Sequence, residues 1–144
     1  MFVLLGIVLL LGAVYFVEKG GGTIVNDFQL SKNFNMKEFQ SPGTGEVKVD
    51  EKLVALLQKM RDITGKPVII TSGYRTVAYN NTLLDNGAIK DSNHTKGTAA
   101  DIKIPGMSPS EVARLADEIG FDGIGTYKTF THVDVGGKKL RWNG

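Results

Sequence analysis

Apolar positions fall along the chain in three patterns. The first is an unbroken run: residues 1–17, MFVLLGIVLLLGAVYFV, carry no charged side chain. The second has the period of a helix. Leu53, Leu56, Leu57, Met60 and Ile63 recur at three- and four-residue spacings, behind Asp50 as a cap and ahead of Gly65 and Pro67 as stops. Val112, Leu115, Ala116 and Ile119 repeat that pattern. They follow Ser108-Pro109-Ser110-Glu111, an N-cap, a first-turn proline and a capping-box glutamate, and Gly120 ends the stretch. The third has the period of a strand. Over 98–104, Asp101 and Lys103 share one face, and Ile102 and Ile104 the other; over 129–135, Phe130, His132 and Asp134 share a face opposite Thr131, Val133 and Val135.

Shorter signals fill the gaps. Phe34, Met36 and Phe39 predict a helical turn pinned to the core, and Ser41 to Gly45 a loop. Residues 68–70 predict a short buried strand, 76–84 a helix, 85–91 a glycine-containing loop, 122–127 a strand and 140–142 an edge strand. Helices mixed with strands that end in hairpins predict an α+β fold, with a mainly antiparallel sheet and helices packed against it. The organisation expected is a hydrophobic helix over 1–17, a flexible linker over 18–29 around the GGGTIVN tether, and a folded domain over 30–144.

As a helix the first segment would span roughly 26 Å at about 1.5 Å per residue, slightly short of a ~30 Å hydrocarbon core. An uncleaved signal anchor fits it better than a cleaved signal peptide. No basic start or small-x-small site is evident, although Gly20 to Gly22 offers small residues. A buried core helix is the third reading. Lys19, Lys32 and Lys37 pull weakly toward a cytoplasmic flank, and Glu18 blunts that pull. The expectation is an exported domain, anchored or secreted, touching the membrane through this helix.

Composition narrows the chemistry. The 144 residues suit one domain, and a net charge of +2 with both signs interspersed is too weak to argue for a nucleic-acid partner. Nothing marks an oligomer, so a monomer is expected. With no cysteine there are no disulfides and no thiolate metal sites. With two histidines, any histidine-based site must use His94, His132 or both. Two imidazoles and the carboxylate of Asp101 suit zinc, and three protein ligands leave a fourth position for water. On spacing alone, surface or hydrogen-bonded side chains are the commoner outcome for such a set.

Ser92-Asn93-His94-Thr95-Lys96-Gly97-Thr98-Ala99-Ala100-Asp101 matches the pattern S-x-H-x-x-G-x-A-x-D. With Thr131-His132-Val133-Asp134-Val135 downstream and Ser72-Gly73-Tyr74-Arg75 upstream, followed by Tyr79-Asn80, the chain resembles the D-alanyl-D-alanine carboxypeptidase and dipeptidase family, peptidase family M15. The resemblance covers about residues 30–142, and it is to the small single-domain branch found in phages and bacteria. It implies a hedgehog/D-Ala-D-Ala-peptidase-like fold and one zinc ion per chain held by His94, Asp101 and His132. It implies that Arg75 binds substrate and stabilises the developing oxyanion, with Ser92 and Tyr74 adding hydrogen bonds to substrate. The implied substrates are peptidoglycan stem peptides, cut by carboxypeptidase or L,D/D,D-endopeptidase action in phage lysis or wall remodelling.

One position departs from the family. Many members carry an acidic general base three residues before the final histidine, where this chain has Thr129. Asp134, two residues after His132 and some 6–7 Å along the same strand face, is the candidate replacement. The alternative makes Asp134 a supporting carboxylate in a non-catalytic, zinc-containing wall-binding domain. A third reading, a membrane-interaction protein, rests on the first segment alone.

Overall fold

A computed structural model describes residues 6–10, 13–17 and 28–144, the first two stretches by their backbone alone. Near the start of the domain, Asn35 caps a 3-10 turn, Met36–Phe39, and Glu38 reaches back to the Asn35 backbone to close a capping box. The turn exists to bury apolar side chains: Met36 and Phe39 are inaccessible, and Phe39 packs on Phe34 with ring centroids 6.1 Å apart.

A short strand, β3 (Val47–Asp50), buries Val47 and Val49 and leads straight into α1 (Glu51–Thr64). Asp50 Oδ1 accepts from the Lys52 amide at 2.8 Å, and Gly65 ends the helix in the left-handed region. Leu53, Val54, Leu57 and Met60 form the buried stripe, each contributing about 1.5–3 kcal/mol by leaving water. Ile63, expected on that stripe, is 57 % exposed because the helix outruns the core in its last turn.

The chain continues through β4 (Ile69–Ser72), α2 (Val77–Asn81), a one-turn helix α3 (Asn93–Lys96) and β5 (Ala99–Lys103). Then come α4 (Pro109–Ile119), β6 (Gly123–Thr126), β7 (Thr131–Asp134) and β8 (Leu140–Asn143). α4 shows the expected capping box between Ser108 and Glu111, with proline in its first turn. Five strands form one sheet in the order β4-β5-β7-β6-β8. α4 packs on β6 and β7, and α1 packs on α4. Ile102, Val112, Ala116, Ile124 and Val133 meet in the layer between helices and sheet. The opposite face of the sheet is thereby left for other chemistry.

Two expectations need correction. The sheet is mixed rather than mainly antiparallel, because β8 pairs in parallel with β6. Both edges of β7 are taken by β5 and β6, so the chain leaving β7 turns back along the free edge of β6. The described residues of the N-terminal segment, 6–10 and 13–17, are not in the single hydrophobic helix expected over 1–17. Its described backbone makes two strands, β1 (Gly6–Leu10) and β2 (Ala13–Val17), paired antiparallel with each other, and β2 pairs with β3. An apolar run without periodicity suits a strand as well as a helix, and this one is rich in valine and aromatic residues. Residues 1–5, 11–12 and 18–27 lie outside the described residues, and with them almost all of the expected linker. Among the described residues no helix is long and apolar enough to cross a membrane.

Candidate metal centre

The register aligns one residue from every strand of the five-stranded sheet. Ser72 on β4 lies opposite Asp101 on β5, Asp101 opposite His132 on β7, His132 opposite Gly125 on β6, and Gly125 opposite Trp142 on β8. This row runs across the face away from α4. Strand alternation explains the sorting: Ala100, Ile102 and Val133 point into the core, so Asp101 and His132 point out of it.

His94 reaches the row from α3. Ser92 Oγ caps that turn by accepting from the His94 amide at 3.2 Å, and Gly97 ends it at φ +74°. The Gly97 carbonyl accepts from the Asp50 amide at 2.9 Å, and a side chain on Gly97 would run into the Lys48 backbone. This closely packed glycine, in a conformation open to it and strained for other residues, therefore fastens the His94 turn to β3.

His94, Asp101 and His132 converge, each offering one ligand atom within 4.8 Å of the others. His94 Nδ1 lies 2.7 Å from the Gly73 carbonyl, so it carries the proton and Nε2 is directed at Asp101 Oδ1, 3.2 Å away. His132 is turned the other way. Its Nδ1 lies 3.0 Å from the same Asp101 Oδ1, and its Nε2 lies 3.0 Å from Asp134 Oδ2. Each imidazole thus has one nitrogen at the centre and the other held by an acceptor. That pairing fixes tautomer and ring plane in metal-binding histidines.

Asp101 divides its carboxylate between two tasks. Oδ1 meets both imidazoles, and Oδ2 accepts from Arg75 Nη2 at 3.0 Å. Arg75 Nε donates to Ser72 Oγ at 3.0 Å. Burial pushes the Asp101 carboxyl up, but the hydrogen bonds from His132 and His94 outweigh it and hold the group well below the usual carboxylate range. Burial pushes His132 down, and the hydrogen bonds to Asp101 and Asp134 reverse that, so its net shift is upward. Asp134 is lowered: burial acts against it, and the bonds from His132 and the Gly136 amide prevail.

Asp134 is not placed as a free base would be. Its Oδ2 faces the outer nitrogen of His132, and its Oδ1 accepts from the amides of Gly123 at 3.2 Å and Gly136 at 2.9 Å. Gly123 lies opposite Asp134 in the register, and a side chain there would occupy the carboxylate's place. Ser92 is buried as a helix cap and also lines the groove of Asp101 and His132. Tyr74, whose amide donates to the Phe39 carbonyl at 2.8 Å, is not among the residues lining the groove. Thr129 lines a separate cavity of about 250 Å³ together with Ile102 and Met107.

Asp101, His132 and Trp142 of this row line a groove of about 580 Å³. Its lining also includes the apolar Leu83, Ala88 and Ile89 and the aromatic Tyr127 and Phe130. The aromatic lining was not foreseen because its members come from two segments, the connection between β6 and β7 and the strand β8. Tyr127 stacks on Phe130 with centroids 4.4 Å apart, and Trp142 lies 5.1 Å from the His132 ring. The one legible signal was Gly123-Ile124-Gly125, two glycines on the outward face of a strand.

Residues 26–135 match the family Peptidase M15. The chain belongs to that family. The resemblance seen in the S-x-H-x-x-G-x-A-x-D segment therefore extends over most of the domain, and the M15 match includes His94, Asp101, His132 and Asp134. Among curated proteins, the chain is 36 % identical over 94 residues to the peptidoglycan L,D-endopeptidase MepK of Escherichia coli K12, covering 61 % of this chain and 52 % of that protein. It is 34 % identical over 79 residues to the probable peptidoglycan L,D-endopeptidase MepK of Haemophilus influenzae, covering 52 % of this chain and 42 % of that protein. The chain spans about half the length of the curated relatives it matches.

Proposed function

We propose that this M15 domain is a zinc-dependent peptidase that hydrolyses peptidoglycan peptides, working on the cell-wall side of the membrane. The observation that carries the reading is the convergence of His94 Nε2, Asp101 Oδ1 and His132 Nδ1, with the outer nitrogens held by Gly73 and Asp134. Two imidazoles and one carboxylate are the donor set of catalytic zinc sites that keep a position open. When bound, zinc supplies Lewis acidity, which acidifies a water and polarises the scissile carbonyl.

The chain's own residues do the rest. Asp101 is kept anionic at a rigid strand position, with its outer oxygen held by Arg75. Arg75 Nη1 takes no hydrogen bond among the described residues, and Arg75 lines the groove. A guanidinium so placed can bind a substrate carboxylate or the oxygen that gains charge at the attacked carbonyl. Asp134 holds His132 in the tautomer that leaves Nδ1 unprotonated, a role beside the general base that strand periodicity suggested for it. The similarity to MepK supports an L,D-endopeptidase type of cleavage over a D-Ala-D-Ala carboxypeptidase type.

The engagement of Asp134 favours a second reading, a zinc-containing wall-binding domain without hydrolysis. The carboxylates lining the groove are Asp91, Asp101 and Asp134, and Asp91 is ion-paired to Lys96 at 3.1 Å. The test is release of new amino groups from purified muropeptides by the domain loaded with one zinc per chain. Amine release abolished by a chelator and restored by zinc supports the peptidase. Stoichiometric zinc with no release leaves the binding domain.

A further inference from the structure

Trp142 sits on the edge strand β8, two strands away from His132 in the five-stranded sheet. At roughly 4.8 Å per strand their backbones are about 9–10 Å apart. Their rings nevertheless lie 5.1 Å apart, tilted by 49°. The gap closes because the residue between them in the row is Gly125: a Cβ there would fall inside the indole. The indole lies over the bare backbone of β6 and reaches the imidazole.

The far side of the indole is braced as well. Trp142 Nε1 donates to the Tyr127 hydroxyl at 3.0 Å, and Tyr127 stacks on Phe130 at an interplanar angle of 9°. His132 is therefore held in four ways: Asp101 on Nδ1, Asp134 on Nε2, the His94 ring edge-on with centroids 5.1 Å apart, and the Trp142 indole on the side toward β8. Asp134 sets which nitrogen faces the centre. The contacts at the two nitrogens lie at the ring's edge and leave it able to tilt about the line that joins them, and the indole packed beside the ring opposes that tilt.

We propose that Trp142 is a positioning residue for His132, and that Gly125 is the opening through which it acts. This inference rests on the zinc reading of the His94–Asp101–His132 set but not on hydrolysis. It adds a packing requirement to a ligand otherwise defined by hydrogen bonds. It also makes the centre optically addressable, because Trp142 is the only tryptophan in the sequence.

The experiment uses the full chain and zinc alone as the probe. Zinc affinity is measured by competition with a chromogenic chelator in wild type, Trp142→Phe, Trp142→Ala and Gly125→Ala, and the emission of Trp142 is followed in wild type and Gly125→Ala. Zinc should change the wild-type emission as His132 is drawn to the metal. Trp142→Ala and Gly125→Ala should each bind zinc about tenfold more weakly, the lower end of the range for residues that orient metal ligands. Trp142→Phe, which keeps a ring on His132, should stay within about threefold of wild type by the same scale. Gly125→Ala should also red-shift the emission before zinc is added. Should Gly125→Ala fail to fold, Trp142→Ala carries the test, because the side chain it removes comes from a sheet edge. Affinities within twofold of wild type in the folded alanine variants would overturn the proposal. A wild-type protein that binds zinc tightly without cutting muropeptides would defeat the peptidase reading and leave this one standing.

Discussion

Asp134 Oδ2 stands 3.0 Å from His132 Nε2, and the same ring presents Nδ1 to Asp101 at 3.0 Å. One carboxylate thus decides which nitrogen of its neighbour faces the centre. Replacing it with an amide keeps the shape and changes the donor pattern. Asp134→Asn should weaken zinc binding by about 10- to 100-fold, as loss of an orienting partner does. Competition with a chelator measures it. Unchanged affinity together with lost hydrolysis would return Asp134 to the role of general base.

In the metal-free protein the same contacts make stability depend on pH. The pKa of His132 is raised above its ordinary 6.5, so its contribution is complete below that value and is lost as pH rises through the raised pKa. Asp101 and Asp134 are lowered from 3.8, so their contribution is present above that value and is lost as pH falls through the lowered pKa values. Urea unfolding of chelator-stripped protein should therefore show a higher midpoint near pH ~5 than near pH ~8 or ~2. A midpoint that rises from ~5 to ~8 would contradict the assigned His132 contacts.

Gly123 leaves room for the Asp134 carboxylate, which also accepts its amide proton. Gly123→Ala should displace that carboxylate within a packed strand pair and cost about 1–3 kcal/mol, typical of overpacking. Thermal unfolding of the metal-free protein is the check, and zinc affinity should fall with it. A fully stable variant with normal zinc binding would mean that the carboxylate can sit elsewhere.

Arg75 joins Ser72 to Asp101 and lines the groove. Arg75→Ala should lower kcat/KM on muropeptides by about 10²–10³, the scale of losing one preorganised donor to a developing oxyanion. Arg75→Lys should recover little, because an ammonium cannot hold Ser72 and Asp101 while also reaching substrate. Full activity in Arg75→Lys would restrict the residue to neutralising Asp101.

What could be read from the sequence was what local chemistry decides. The start of α4 follows from Ser108, Pro109 and Glu111, and its end from Gly120, because caps satisfy backbone groups within one turn. The ligand set was legible through the family resemblance carried by the segment from Ser92 to Asp101 and by Thr131 to Val135, not through spacing alone, and strand alternation added Asp134 on the face of His132. Elements settled by distant partners were not. β3 is four residues long and is recognisable only by its pairing with β2. β8 is parallel because β7 has no free edge, a fact of sheet order. The turn carrying His94 is too short to show a period. The part played by Asp134 depended on the ring orientation of His132 and on Gly123 opposite, neither of which strand alternation can specify. The same holds for Trp142, whose approach to His132 requires the register that puts Gly125 between them.

The central claim, a zinc centre that cuts peptidoglycan peptides, is tested most directly by mass spectrometry of cross-linked muropeptides after digestion. The wild-type protein loaded with zinc should produce pairs of shorter peptides from hydrolysis of one bond, the two masses summing to that of the parent plus one water. His94→Ala, lacking a ligand, should leave the muropeptides intact. Intact muropeptides in the wild-type digest with zinc bound, or equal cleavage by His94→Ala, would contradict it.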